Sequence, residues 1–237
     1  MSSHRVKKNK LKKVAIFDID GTIFRSSLLI ELVEALIQEK IFSPRIRKIY
    51  LNQYYSWLNR KGLYSDYIEA VIEAFEKNIK GAPYARIQTI SKKVIAVHKD
   101  RVYCYTRDLV KKLKADDYYL LAISHSPLII VESFVKELGF NKVYGRMFEF
   151  DKSNKFTEKV LYKELIDDKS KILTRVLKKE KLSLKKSVGV GDTDSDISFL
   201  KMVDHPICFN PNQKLYRYAK RKGWEIVVER KDVIYKI

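Results

Sequence analysis

Short apolar runs alternate along the chain with longer stretches whose apolar positions recur at helical spacing. Val14, Ala15, Ile16 and Phe17 form the first run, the pattern of a strand buried on both faces. It stops at Asp18-Ile19-Asp20, and Gly21-Thr22 turns the chain. Comparable runs at Tyr119–Ile123, Lys142–Tyr144, Ser187–Val190, Ile207–Phe209 and Glu225–Val228 predict further strands. Rough alternation around Met147, Phe148 and Phe150, with a turn at Ser153-Asn154, predicts a small hairpin near 143–157.

Helical spacing fills the intervals. Leu28, Leu32, Ala35 and Leu36 line one side of a first helix, widened by Leu29, Val33 and Ile37. Ser43-Pro44 has the form of an N-cap followed by a first-turn proline, and Ser65 is the expected cap of a helix carrying Ile68, Val71, Ile72, Phe75 and Ile79. Gly81-Ala82-Pro83 breaks that helix, and another is expected from Tyr84 to His98. Thr106 is the expected cap of a helix with Leu109, Val110 and Leu113. Ser126-Pro127 opens one through Leu138, closed by Gly139. Helices around Ile172–Leu177, near Asp196 and over Leu215–Lys222 complete the pattern.

Strands separated by helices predict an α/β fold, a Rossmann-like parallel-sheet core covered on both faces. The helical block at 25–100 is too long for one crossover, so it is expected to be an inserted, mainly helical cap. The core then comprises 11–24 and 101–237, with residues 1–10 as a basic flexible tail.

Composition narrows the class. With 237 residues and 46% hydrophobic positions, the chain can bury a substantial core. Its two cysteines, Cys104 and Cys208, offer neither a disulfide framework nor metal-site spacing, and both are expected as small buried apolar groups. No long apolar span predicts a membrane helix, and the basic amino terminus lacks the apolar region of a signal peptide. A cytoplasmic protein is expected. The formal charge of +19 raises nucleic-acid binding as a possibility, but the lysines are scattered. The one tight basic cluster, Arg5, Lys7, Lys8, Lys10, Lys12 and Lys13, reads as a tail before the first strand, so nucleic acid is not the favoured partner.

The candidate chemistry lies where apolar strands end. Asp18 and Asp20 leave the first strand together, a costly placement unless the carboxylates work. They suit a nucleophile, an acid/base group and a Mg²⁺ ligand set. Ser124 ends the Tyr119–Ile123 run before a helix, whose free N–H groups favour phosphate. Asp192, Asp194 and Asp196 follow the Ser187–Val190 run. They could be a solvated loop capping the next helix, but a Mg²⁺ site shared with Asp18 and Asp20 explains the clustering better. Tyr50, Tyr54, Tyr55 and Trp57 are more simply the core of a helical subdomain than a cavity lining.

The ordered set of motifs resembles the haloacid dehalogenase-like phosphatases, and within them the phosphoserine phosphatase-like subgroup. The resemblance covers roughly residues 11–230. Asp18-Ile19-Asp20-Gly21-Thr22 matches the first motif, Ser124 the second, Lys169 the third, with Lys171 competing, and Gly191-Asp192-Thr193-Asp194-Ser195-Asp196 the fourth. The resemblance implies that Asp18 is the nucleophile, forming an aspartyl-phosphate, and that Asp20 carries the proton. Asp18, Asp20 (through its backbone carbonyl), Asp192 and Asp196 would hold or place Mg²⁺. Ser124 and Lys169, with Gly21 and Thr22, would bind the phosphoryl group.

Departures from the subgroup concern the substrate. No acid follows the first motif until Glu31, and His125-Ser126-Pro127 stands where glycines are common. Arg25 and His125 are the candidate substrate-contacting residues; Arg25 could equally form a surface ion pair. The expectation is a Mg²⁺-dependent phosphomonoesterase acting on a small phosphorylated metabolite. Phosphotransfer to a non-water acceptor and a basic nucleic-acid-binding protein on the same fold are the alternatives.

Overall fold

A computed structural model describes residues 11–237; the expected basic tail at 1–10 lies outside them. The eight strands are β1 (Lys12–Phe17), β2 (Tyr119–Pro127), β3 (Lys142–Phe150), β4 (Phe156–Leu161), β5 (Leu182–Gly191), β6 (His205–Phe209), β7 (Glu225–Arg230) and β8 (Val233–Lys236). They form one sheet in the order β4-β3-β2-β1-β5-β6-β7-β8. The pairs from β3 across to β7 are parallel, and the edge strands β4 and β8 are antiparallel. Lys12 and Lys13 belong to β1 and not to a tail: Lys12 pairs with Asp117, and the Lys13 ammonium sits 4.1 Å from the Tyr118 ring centre.

β1 is central because Val14 to Phe17 are wholly buried. Successive side chains of a strand point to opposite faces, and the two cores divide accordingly. Ala15 and Phe17 join one cluster with Leu120, Ala122, Val188 and Val190; Val14 and Ile16 join the other with Leu121, Ile123 and Cys208. The helices are α1 (Leu28–Gln38), α2 (Leu51–Leu58), α3 (Tyr64–Asn78), α4 (Tyr84–His98), α5 (Cys104–Ala115), α6 (Leu128–Val135), α7 (Lys163–Ile166), α8 (Lys169–Lys179), α9 (Ile197–Leu200) and α10 (Gln213–Lys222). Helices α5 and α6 bury their apolar residues in the first cluster; α8, α9 and α10 do so in the second.

The helical block runs from α1 to α4, with a 3₁₀ segment at Pro44–Ile49 opened by Ser43 as expected. It shares the first apolar cluster with the sheet, and α1 and α4 pack on α6. A second attachment was not legible in sequence. The α3–α4 turn pairs with the β3–β4 hairpin through Gly81 N–H to Phe156 O (2.8 Å), Phe156 N–H to Ala82 O (2.9 Å) and Tyr84 N–H to Asn154 O (2.9 Å).

Several local expectations are corrected. β2 runs on to Pro127, and α6 starts only at Leu128, because the Ser126 N–H donates to the Ser124 hydroxyl (2.9 Å) within the strand end. Thr106 lies inside α5 and donates to the Thr22 carbonyl (2.8 Å). The first amides of α5 are met instead by the Glu229 carboxylate, at 3.0 Å from Cys104 N and 2.8 Å from Tyr105 N. Ser65 also lies inside its helix, α3, and caps nothing. Cys208 is buried, but Cys104, at the exposed start of α5, is not. Among the described residues no helix is long and apolar enough to cross a membrane.

Candidate active site

Parallel register brings the three strand ends together. Phe17 lies opposite Ala122 of β2 and Val190 of β5, so Asp18, Ser124 and Asp192 leave the sheet at one edge. That is the carboxyl edge, where open α/β sheets place their ligands. The Asp18 N–H extends the β5 ladder by donating to Val190 O at 2.9 Å, which fixes where its side chain emerges.

Lys169 is the hub of the charge arrangement. It is the first residue of α8, behind an N-cap formed by Asp168, and is 1% exposed. Its Nζ lies 2.6 Å from Asp18 Oδ1 and 2.6 Å from Asp196 Oδ1. Burial alone would lower the Lys169 pKa, but the Asp18 and Asp196 carboxylates outweigh it and the pKa is raised. Lys171 instead points to the surface, 3.5 Å from the Glu164 carbonyl. The other Asp196 oxygen accepts from Asp192 N and Thr193 N, each at 3.0 Å, and so sets the shape of the 191–196 loop. Asp194 turns away, accepting from Asn212 Nδ2 at 2.7 Å.

Asp18, Asp192 and Asp196 each present a carboxylate oxygen within 4.8 Å of the others. Burial raises Asp18 to about 8 despite Lys169, and it raises Asp192 well above the ordinary carboxylate range, with Asp18 and Asp196 adding to the rise. Oxygen donors this close, with only one cation among them, suit a hard divalent ion. Gly21 makes room for the set. Its φ is +76°, and a Cβ there would sit 2.2 Å from Asp192 Oδ2.

Asp20 is held apart from this cluster. Its Oδ1 accepts from Leu28 N and its Oδ2 from Ser124 Oγ, both at 2.5 Å. Burial raises its pKa, and the Ser124 and Leu28 hydrogen bonds oppose part of the rise. Asp20 is therefore a carboxyl group that keeps its proton more readily than Asp in water.

Asp18, Asp20, Lys169 and Asp192 form the floor of a cavity of about 700 Å³, with Asp196 buried beneath it, and α3 of the cap, Ser126, Arg146 and the 192–195 loop wall it. His125 lines it, with Nε2 2.9 Å from the Ile166 carbonyl. Burial, then Lys169, push the His125 pKa down to about 3, so the ring is neutral. Three expected groups stand elsewhere. Ser124 is wholly buried behind the lining, spending its hydroxyl on Asp20, and Ser126 is the serine that faces the cavity. Gly21 and Thr22 do not line it, since the Gly21 N–H donates to Phe24 O and Ser26 O, and the Thr22 N–H to Ile19 O. Arg25 is outside as well: its guanidinium packs over the Tyr103 ring at 5.4 Å. Tyr50, Tyr54 and Trp57 pack around Tyr67, Tyr55 stays exposed beside Tyr54, and of this neighbourhood Tyr64 reaches the cavity.

Arg146 and the acidic side of α3 were missed in sequence. Arg146 is 7% exposed, 2.7 Å from Glu76 and 3.8 Å from Asp167. It sits on a strand recognised only as a weak hairpin arm. The α3 carboxylates Asp66, Glu69, Glu73 and Glu76 did carry a signal, the spacing of one helix face.

A parallel sheet with a helical insertion and an Asp–Lys–Asp cluster at its carboxyl edge defines a hydrolase of the haloacid dehalogenase type. The haloacid dehalogenase-like hydrolase family model matches residues 15–201, and the chain belongs to that family. A phosphoserine phosphatase of Methanocaldococcus jannaschii is 24% identical over 225 residues, covering 94% of this chain and 95% of that protein. A protein of unknown function from Bordetella pertussis Tohama I shares the fold with a TM-score of 0.73 at 16% identity, covering 92% of this chain and 98% of that one. A phospho-aspartyl intermediate analogue of phosphoserine phosphatase superposes with a TM-score of 0.60 at 22% identity, over 94% and 96% of the two chains.

Proposed function

We propose that this protein is a Mg²⁺-dependent phosphomonoesterase of the cytoplasm that hydrolyses a small phosphorylated metabolite through an aspartyl-phosphate on Asp18. The observation that carries the reading is Lys169 Nζ on the cavity floor, 2.6 Å from both Asp18 and the buried Asp196. Asp18 and Asp192 would hold the ion with the Asp20 carbonyl, and Asp196 would act by fixing the loop. The bound cation would offset the charge of a phosphoryl group approaching a carboxylate.

Asp18 attacks phosphorus, and Lys169 steadies both the attacking carboxylate and the charge that develops on phosphoryl oxygen. Asp20, whose pKa is raised by burial, delivers its proton to the leaving oxygen and then takes one from the water that cleaves the aspartyl-phosphate. Ser124 and Leu28 N–H hold the Asp20 carboxyl in place for both steps. Ser126 at the cavity wall is the hydroxyl placed to meet the phosphoryl group. The helical cap over residues 25–100, packed on the core through the shared apolar cluster, would exclude bulk water.

The test is single-turnover reaction with p-nitrophenyl phosphate and Mg²⁺, followed by intact mass. The wild type should release inorganic phosphate and pass through a phosphoprotein, and chelation should stop it. Folded Asp18→Asn should form no phosphoprotein and lose at least about a thousandfold in rate, the loss expected when a nucleophile is removed. A phosphoprotein in that variant would reject Asp18.

A further inference from the structure

The wall of the cavity away from the Asp cluster says what the leaving group looks like. Six carboxylates line it, Asp66, Glu69, Glu73, Glu76, Asp167 and Asp194, against four cations. Three of those cations are already met: Lys77 by Glu73, Lys214 by Asp194 at 3.4 Å, and Arg146 by Glu76. Lys163 is the fourth. Asp66 and Glu69 line the cavity from exposed positions and join no ion pair among the described residues, although the chain carries a formal charge of +19. An acidic excess on so basic a protein is a local feature of this wall.

Two further observations point the same way. Arg146 is the buried cation that could have received a substrate carboxylate. It is shared between Glu76 at 2.7 Å and Asp167 at 3.8 Å, so that corner is net negative. A second anion placed there would meet two carboxylates for one guanidinium. His125 also presents an acceptor. Its Nε2 lies on the Ile166 carbonyl, which can only accept, so Nε2 carries the proton and Nδ1 of the neutral ring keeps a lone pair.

We infer that the substrate is a phosphomonoester of an alcohol bearing a cationic amine and no carboxylate, read by Asp66 and Glu69 of the cavity lining. The inference rests on the phosphatase reading above and narrows it. The phosphate end is served by Lys169 and the metal; the far end is served by carboxylates. A leaving group with its own carboxylate is disfavoured by the same wall.

The experiment uses three esters of matched size: 2-aminoethyl, 2-hydroxyethyl and carboxymethyl phosphate, with p-nitrophenyl phosphate as a control. With Mg²⁺ and the full chain, kcat/KM should be at least about tenfold higher for the aminoethyl than for the carboxymethyl ester, with the hydroxyethyl ester between. The double variant Asp66→Asn, Glu69→Gln should narrow that ratio by about fivefold, mainly through KM, while its rate on p-nitrophenyl phosphate stays within about twofold. The variant comparison removes the intrinsic reactivity differences between the esters. Hydrolysis of the control with no preference among the three esters, or with preference for carboxymethyl, would overturn the inference and leave the phosphatase reading intact. A preference that survives unchanged in the variant would overturn the assignment to Asp66 and Glu69. Failure on every ester, the control included, would reject the phosphatase reading and this inference with it.

Discussion

At the scale of single residues, the site works by burial that is only partly compensated. Lys169 meets two carboxylates, while Asp192 has just the Thr22 hydroxyl at 3.4 Å. The carboxylates are thereby ready to gain from a cation. His125 shows the opposite sign. Burial, then Lys169, hold its pKa near 3, against 6.5 for the ordinary ring. The unfolded chain therefore takes up a proton that the folded chain refuses. The contribution of His125 to stability is full above about pH 6.5 and is lost as pH falls toward 3, at up to about 1.4 kcal/mol per pH unit. His125→Gln keeps an N–H for the Ile166 carbonyl and removes the titration. Denaturant unfolding from about pH 7 to pH 5 should show the wild type losing stability faster than the variant. Parallel pH dependences would mean that His125 is protonated in the folded state.

The same residues show what could be read beforehand. Asp18, Asp20, Asp192 and Asp196 were legible because each follows an apolar run within a few positions. Lys169 was named only by its resemblance to a motif; nothing in a lysine-rich helix start distinguishes it from Lys171. Gly21 and Thr22 were expected at the phosphate from the resemblance of the first motif, and Arg25 was a candidate substrate contact. The turn consumes the amides of the first two, and the chain carries Arg25 out to Tyr103. Arg146 was illegible because its partners, Glu76 and Asp167, lie 70 residues before it and on another segment after it.

At the scale of elements, most strands followed from apolar runs, but the starts of α3 and α5 did not follow from the nearest hydroxyl as that of the 3₁₀ segment did at Ser43. Thr106 looked like a cap because threonine often is one. The actual acceptor, Glu229 on β7, is 124 and 125 residues from the amides it meets. A carboxylate at a helix N-terminus also gains from the field of the peptide dipoles. Glu229 is 8% exposed, so its loss would strand two N–H groups where water has little access. Glu229→Ala should cost about 1–3 kcal/mol of unfolding free energy. Denaturant titration measures it, and a loss below about 0.5 kcal/mol would show water taking the carboxylate's place. The edge strand β8 was missed outright. Its residues are exposed and it is short, so it has no buried face to impose a pattern.

At the scale of the whole molecule, the cap is not a lid joined to the core by two chain crossings alone. Helices α1 and α4 pack on α6, and the α3–α4 turn adds three backbone hydrogen bonds to the β3–β4 hairpin. Aromatic contacts reinforce that tether, with Tyr84 5.0 Å from Phe150 and Phe75 5.4 Å from Phe148. The 3₁₀ segment at 44–49 and α2 pack chiefly on α3 and on each other, and α2 has no fully buried residue. Closure over a substrate is therefore expected at the 44–66 end of the cap, with the 79–98 end staying on the core. Hydrogen exchange resolves the two ends directly. Amides of α2 and the first turn of α3 should exchange at least about tenfold faster than those of α4, because local opening costs least where few apolar contacts must break. Orthovanadate or inorganic phosphate with Mg²⁺ should then slow exchange around Tyr64 and leave α4 unchanged. Equal exchange across all the cap helices, or protection that appears first in α4, would show the cap moving as one body and would place the hinge at its two chain crossings.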